Sequence, residues 1–154
     1  MKKENIFEKE SEVLAILVSV LTPDKDEHEN EVSLDELERL LDTAGGKLFA
    51  KVVQSRPSPD IKSYVGAGKL EEIKELCENN GITLVICDDE LSPSQIRNME
   101  DAIGDVRVID RSMLILDIFA LHATSGEGKL QVELAQLRYT LPRLMGKGTE
   151  LSRL

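Results

Sequence analysis

The sequence has little that would make a secreted, membrane or metal-dependent protein. It holds two cysteines, Cys77 and Cys87, too few for a disulfide framework, and each lies in an apolar pattern where a small core residue belongs. No apolar run approaches the length needed to cross a bilayer. Val13–Leu21 follows Lys2 and Lys3 much as a signal-peptide core would. Four glutamates intervene, however, and no small-x-small cleavage site follows. The expected compartment is the cytoplasm. No low-complexity tract interrupts the 154 residues, 41% of them apolar, a length that suits one domain with a real core and an appendage.

Basic charge is also scarce, and it is unevenly placed. The net charge is −10. Residues 1–104 carry 12 basic and 23 acidic side chains, whereas residues 105–154 carry 7 and 6. An acidic solvated end and a mildly basic working end are implied.

What the chain does have is alternation. Val13–Val20 reads as a strand buried on both faces. After an acidic loop over Thr22–Glu31, Ser33 with Glu36 forms a capping box that predicts a helix striped by Leu34, Leu37, Leu40, Leu41 and Ala44, ended by Gly45-Gly46. Leu48–Val53 is the second strand. A loop leads to Gly66-Ala67-Gly68-Lys69 and a helix carrying Leu70, Ile73, Leu76 and Cys77. Ile82–Cys87 is the third strand. Ser92-Pro93-Ser94-Gln95 is a capping box with proline at the first helical position, opening a helix with Ile96, Met99 and Ile103 on its inner face. Val106–Ile109 is the fourth strand, and Asp110 caps a helix with Leu114, Ile118 and Leu121. Four such alternations predict an α/β fold, a small parallel sheet of about four strands flanked by helices.

After residue 123 only helix remains. Leu130, Leu134, Leu137, Leu141 and Leu144 are spaced 4, 3, 4, 3, a heptad seam that requires something to lie on. The short, glycine-containing link over residues 124–128 predicts an antiparallel hairpin with that seam packed on the Leu114 helix. Pro142 is expected to disturb the last turn, and Gly146 to Leu154 to be loop. The expected division is an α/β subdomain over 1–123 and a helical segment over 124–154. Leftover apolar surface is expected to let the chain dimerise.

Candidate chemistry is sparse. Gly66, Gly68 and Lys69 resemble the end of a phosphate loop, but the pattern Gly-x4-Gly-Lys-Ser/Thr is incomplete because Leu70 follows the lysine. Backbone amides there could hold an anion, against the plainer role of a glycine-assisted turn into a helix. Asp88, Asp89 and Glu90 follow the third strand and Asp110 the fourth, where α/β domains build sites; these carboxylates could hold a hard cation or serve as turns and caps. His28 and His122 lack partners at ligand spacing, and Ser112 and Ser125 have no evident base. No catalytic or metal-binding residue is assigned. The remaining candidates are the basic side chains left by the leucine seam, Lys129, Arg138 and Arg143, with Lys147 and Arg153 beyond.

Four stretches are similar to the N-terminal domain of the HflX family of GTP-binding proteins: RPSPDIKSYVGAGKLEEI (Arg56–Ile73), DDELSPSQIRNMED (Asp88–Asp101), VIDRSMLILDIFALHA (Val108–Ala123) and EGKLQVELAQLRYTLPRLMGKG (Glu127–Gly148). The resemblance implies an α/β subdomain followed by a helical hairpin, in ribosome-associated GTPases implicated in splitting ribosomes under stress. It implies the large ribosomal subunit and its rRNA as partner, met by Lys129, Arg138, Arg143, Lys147 and Arg153. It also implies a GTPase domain, absent here, that would bind GTP and magnesium and pack on this chain. Leu151-Ser152-Arg153 matches the family's approach to its glycine-rich loop, and the phosphate loop itself is not in the sequence. No cofactor and no hydrolysis are therefore expected of this chain. The competing expectation is a small-molecule- or metal-binding α/β enzyme using the strand-end carboxylates.

Overall fold

The computed structural model describes residues 6–7 and 12–152, with side chains up to residue 141. Nine elements follow in order: β1 (Val13–Leu21), α1 (Glu27–Thr43), β2 (Gly46–Ser55), α2 (Ala67–Asn80), β3 (Leu84–Cys87), α3 (Pro93–Ile103), β4 (Arg107–Asp110), α4 (Arg111–His122) and α5 (Gly126–Ser152). The sheet is wholly parallel with strand order β2-β1-β3-β4.

β1 is central, and Ala15 to Val20 are buried without a break because helices cover both faces. Right-handed crossovers dictate the layers. The step from β1 to β2 places α1 on one face, where α4 joins it; the steps through β3 to β4 place α2 and α3 on the other. The core is then continuous from Leu37 and Leu41 of α1 through Ile16, Leu17, Val85 and Ile86 to Ile73 and Met99.

Local signals explain most boundaries. Ser92 accepts from the Gln95 amide while the Gln95 side chain accepts from the Ser92 amide, so both box bonds form. Gly81 ends α2 at φ 64°, a left-handed turn that suits glycine. In β2 the pairing jumps from Ala15↔Leu48 to Ile16↔Ala50, leaving Phe49 unmatched as a bulge.

Three expectations fail. α1 begins at Glu27, capped by Asp26, so Ser33 lies inside the helix and the acidic loop is shorter than expected. The Ser33 carbonyl accepts from Arg111 Nη2 at 3.0 Å and its hydroxyl bonds Asp88, which is what makes a mid-helix serine useful. α5 continues as helix through Pro142, Gly146 and Gly148 to Ser152, where a loop was expected. And the leucine seam, from Leu130 to Leu141, does not pack on α4; the side chain of Leu144 lies outside the described set.

That third failure has a simple cause. Met113, Leu114 and Ile118 of α4 are buried in the core, so they are not available to a further helix. α5 lies on α4 and α3 with another face, Val132, Ala135, Gln136 and Tyr139, all partly buried. Gln136 Nε2 donates to Asp117 Oδ1 at 3.1 Å, and the Tyr139 hydroxyl donates to Asp110 Oδ2. Leu130, Leu134, Leu137 and Leu141 are 44–56% exposed.

Candidate functional site

The chain reverses its winding direction between β1 and β3, so their C-terminal ends open a crevice of the kind that α/β sheets use for ligands. Polar side chains collect there. Asp88 lies almost fully buried beside the Arg111 guanidinium, with Nε 3.2 Å from Oδ1. Burial pushes its carboxyl above the usual range, against the opposing pull of Ser33 and Arg111. Asp89 accepts from the Tyr64 hydroxyl at 2.6 Å and lies 3.5 Å from Lys25 Nζ.

Tyr64 is itself notable. It is fully buried with φ 66°, a backbone region that a bulky residue rarely adopts. Paired main-chain bonds between Asp60 and Tyr64 close the turn, and Asp60 Oδ1 accepts from the amides of Lys62 and Ser63. The hydroxyl accepts from the Val20 amide at 3.2 Å while donating to Asp89. Burial, with the negative charge around it, raises its pKa far above the ordinary value, so it serves as a donor and not as a base.

Asp110, at the end of β4, ties that strand to α4, α5 and the loop between β3 and α3. Oδ1 accepts from the Met113 amide at 3.0 Å, capping α4, and Oδ2 accepts from the Leu91 amide at 2.9 Å and from Tyr139 of α5. Sequence reading found the cap and missed the other two partners. Among the described residues, no group of three or more His, Cys, Asp or Glu side chains is arranged to hold a metal ion. Cys87 is wholly buried, its thiol pKa raised first by burial and then by the neighbouring aspartates, which makes it inert. The crevice is thus cross-linked by its own side chains.

The Gly66 turn is likewise engaged. Gly66 is the N-cap of α2, and its amide donates to Gln54 Oε1 at 2.9 Å. Lys69 Nζ lies 2.8 Å from Glu72, and Gly68 faces open space. The basic residues are distributed along α5. Lys129 and Arg138 are both exposed. Nine positions apart, they are separated by about 900° of rotation, which puts them on opposite flanks of the helix. Arg143 and Lys147 belong to the same helix, with side chains outside the described set, and Arg153 lies outside the described residues. The sequence signal for the real packing face was present: Val132, Ala135, Gln136 and Tyr139 share a helical stripe, but it is short, small and half polar.

The class is therefore a doubly wound α/β unit with a long helical extension clamped to its β4 end. Its family follows from comparison with known proteins. Residues 31–120 match the family described as GTP-binding GTPase N-terminal, and residues 122–154 that described as GTP-binding GTPase Middle Region. The chain belongs to this family of HflX-type GTP-binding proteins. It is 51% identical over 146 residues to the GTPase HflX of Lacrimispora saccharolytica, covering 95% of this chain and 34% of that protein. Against the GTPase HflX of Escherichia coli the identity is 46% over 140 residues, covering 90% and 32%. The chain thus spans about a third of the length of these curated relatives. Among solved structures, a GTP-binding protein from the hyperthermophilic archaeon Sulfolobus solfataricus in complex with GDP superposes with a TM-score of 0.62 at 29% identity, covering 88% of this chain and 40% of that one.

Proposed function

We propose that this chain is the ribosome-facing module of an HflX-type GTPase, acting in the cytoplasm on the large ribosomal subunit during ribosome splitting under stress. In this reading residues 1–123 form the body and residues 124–154 a helical arm. GTP and magnesium are handled by a separate GTPase domain, which packs on this module, and this chain performs no hydrolysis itself. The observation that carries the reading is the mounting of α5. One side is bonded to the body through Gln136 and Tyr139, leaving its other side and both charged flanks outward. The acidic body, with its excess over residues 1–104, is repelled by rRNA phosphates and turns away from them. Positive charge along the arm, from Lys129, Arg138, Arg143, Lys147 and Arg153, contacts the RNA backbone. The turn at Gly66, Gly68 and Lys69 is a weaker second contact for phosphate.

Support also comes from the crevice. Its carboxylates are consumed by Arg111, Lys25, Tyr64 and main-chain amides, which disfavours an enzyme built on them. The test is co-sedimentation with large ribosomal subunits for the parent, for Arg138→Glu with Arg143→Glu, and for Lys69→Glu. If about three phosphates are neutralised, log K falls against log salt with a slope of about −2 to −3. Loss of binding in the double variant at unchanged melting temperature places the contact on the arm. Equal, salt-insensitive binding by parent and variant removes the arm from the mechanism. Purified chain should release no phosphate from GTP; turnover that survives further purification contradicts the assignment.

A further inference from the structure

One segment of the acidic body is basic. Residues 54–69 hold three basic side chains, Arg56, Lys62 and Lys69, and one acidic, Asp60, a balance of +2 inside a stretch, residues 1–104, with 12 basic and 23 acidic. At its tip Ile61 is 92% exposed, the most open of the large apolar side chains among the described residues. A single exposed aliphatic residue on a loose loop would mean little. This tip is held. Asp60 Oδ1 accepts from the amides of Lys62 at 2.8 Å and Ser63 at 3.0 Å. On either side of Ile61 the main-chain carbonyls are pinned to α3: Gln95 Nε2 donates to that of Asp60 at 2.8 Å, and Asn98 Nδ2 to that of Lys62 at 2.9 Å. The left-handed Tyr64 closes the turn, a conformation that costs free energy and persists only where several contacts impose it. Ile61 and Lys62 are thus presented in fixed positions. The Lys62 ammonium is exposed and has no hydrogen-bond or ion-pair partner among the described residues.

Resting on the ribosomal reading above, we propose that this tip is a second RNA-contacting element, in which Lys62 neutralises a backbone phosphate and Ile61 lies against the face of an unstacked base. Loops and bulges in RNA offer both chemistries side by side, a phosphate and an apolar base face freed from its stack. A tip already fixed in shape loses little freedom on binding, so one aliphatic contact and one charge suffice to add affinity. An apolar pocket on a protein would take Ile61, but it gives no use to positive charge gathered on an otherwise acidic body. The mounting also suits joint action with the arm. α3 holds the tip through Gln95 and Asn98, and α5 packs on the same helix. Tip and arm are therefore fixed to one strut, and engagement of one raises the effective concentration of the other on the same RNA.

The test is co-sedimentation of the full chain with large ribosomal subunits at several salt concentrations. Ile61→Ser should weaken binding about tenfold at an unchanged salt slope, the order expected when one aliphatic side chain is no longer covered. Lys62→Ala should make the slope shallower by about 1. Both variants should keep the parental melting temperature, since both side chains are exposed. With Ile61 replaced by p-benzoylphenylalanine, irradiation should attach the chain to rRNA. An adduct with a ribosomal protein and none with rRNA overturns the proposal. So does parental affinity in Ile61→Ser, or a parental slope in Lys62→Ala. Those results leave the arm in place where Arg138→Glu with Arg143→Glu still abolishes binding, whereas a parent that fails to sediment with the subunits even at low salt overturns both readings.

Discussion

Replacing Asp110 with alanine removes the acceptor of three hydrogen bonds from one fully buried position. Losing the cap on α4 costs about 1 kcal/mol. Stranding the buried Leu91 amide costs about 1–3 kcal/mol more. The Tyr139 hydroxyl, at the half-buried margin of α5, can turn to water, so its loss is about 1 kcal/mol. The sum is about 3–5 kcal/mol, which at about 2–4 °C per kcal/mol for a chain of this size lowers the melting temperature by roughly 10 °C. Tyr139→Phe alone should cost about 1–2 kcal/mol. The informative quantity is the coupling between the two. Urea unfolding followed by circular dichroism, on parent, both single variants and the double, should give a coupling energy of about 1 kcal/mol. Hydrogen exchange adds the location: in Tyr139→Phe the amides of α5 near Gln136 should exchange faster, while those of β3 should not change. A coupling energy within about 0.3 kcal/mol of zero, at the limit for independent sites, would refute the idea that this bond clamps the arm to the sheet.

Two further perturbations test the crevice and the edge. Tyr64→Phe leaves the Val20 amide and Asp89 without the hydroxyl that joins them, and should cost about 1–3 kcal/mol in urea unfolding with the fold retained; a neutral substitution would mean water replaces it. Lys51 is bonded to Asp35 at 2.8 Å and Glu38 at 2.9 Å, which raises its pKa and, through the same Lys51 bond, lowers that of Asp35. The stability gap between parent and Lys51→Met should be flat at neutral pH. It should vanish as pH rises past the ordinary lysine value of 10.5, and shrink as pH falls below the ordinary aspartate value of 3.8; a pH-independent gap would show that packing of the lysine stem, and not its charge, matters.

Elements specified by neighbours in sequence were legible before the structure. The uninterrupted apolar run of β1, the Ser92 box, the Asp110 cap and the glycine stop at Gly81 each carry their cause within a few residues. The failures share the opposite property. Ser33 and Glu36 match a helix start, yet Ser33 is held by Arg111, 78 positions away, and by Asp88; a capping pattern cannot register partners at that range. The heptad of α5 correctly announced a helix with an apolar side, but spacing alone does not say what that side meets. Two polar bonds, from Gln136 and Tyr139, decide which face turns inward, and both acceptors come from elements earlier in the chain. The crevice was half read: its aspartates were noted, while the tyrosine and arginine that occupy them were not.

The unmatched Phe49 has a consequence for how these molecules meet in a crowded solution. β2 is a ten-residue strand whose outer side pairs with no other strand among the described residues, a ready template for a passing chain. The extra residue breaks the even ladder that an incoming strand would have to follow, and it adds local twist. It also changes which side of the sheet the later residues serve, so that Lys51 reaches α1 and is held there by Asp35 and Glu38. A strand docking along β2 would meet a misfit in the middle and two lysines, Lys47 and Lys51, on either side of it. Contact between copies is thereby discouraged along β2, and fibre-like growth in the hydrogen-bonding direction finds no even ladder on that edge.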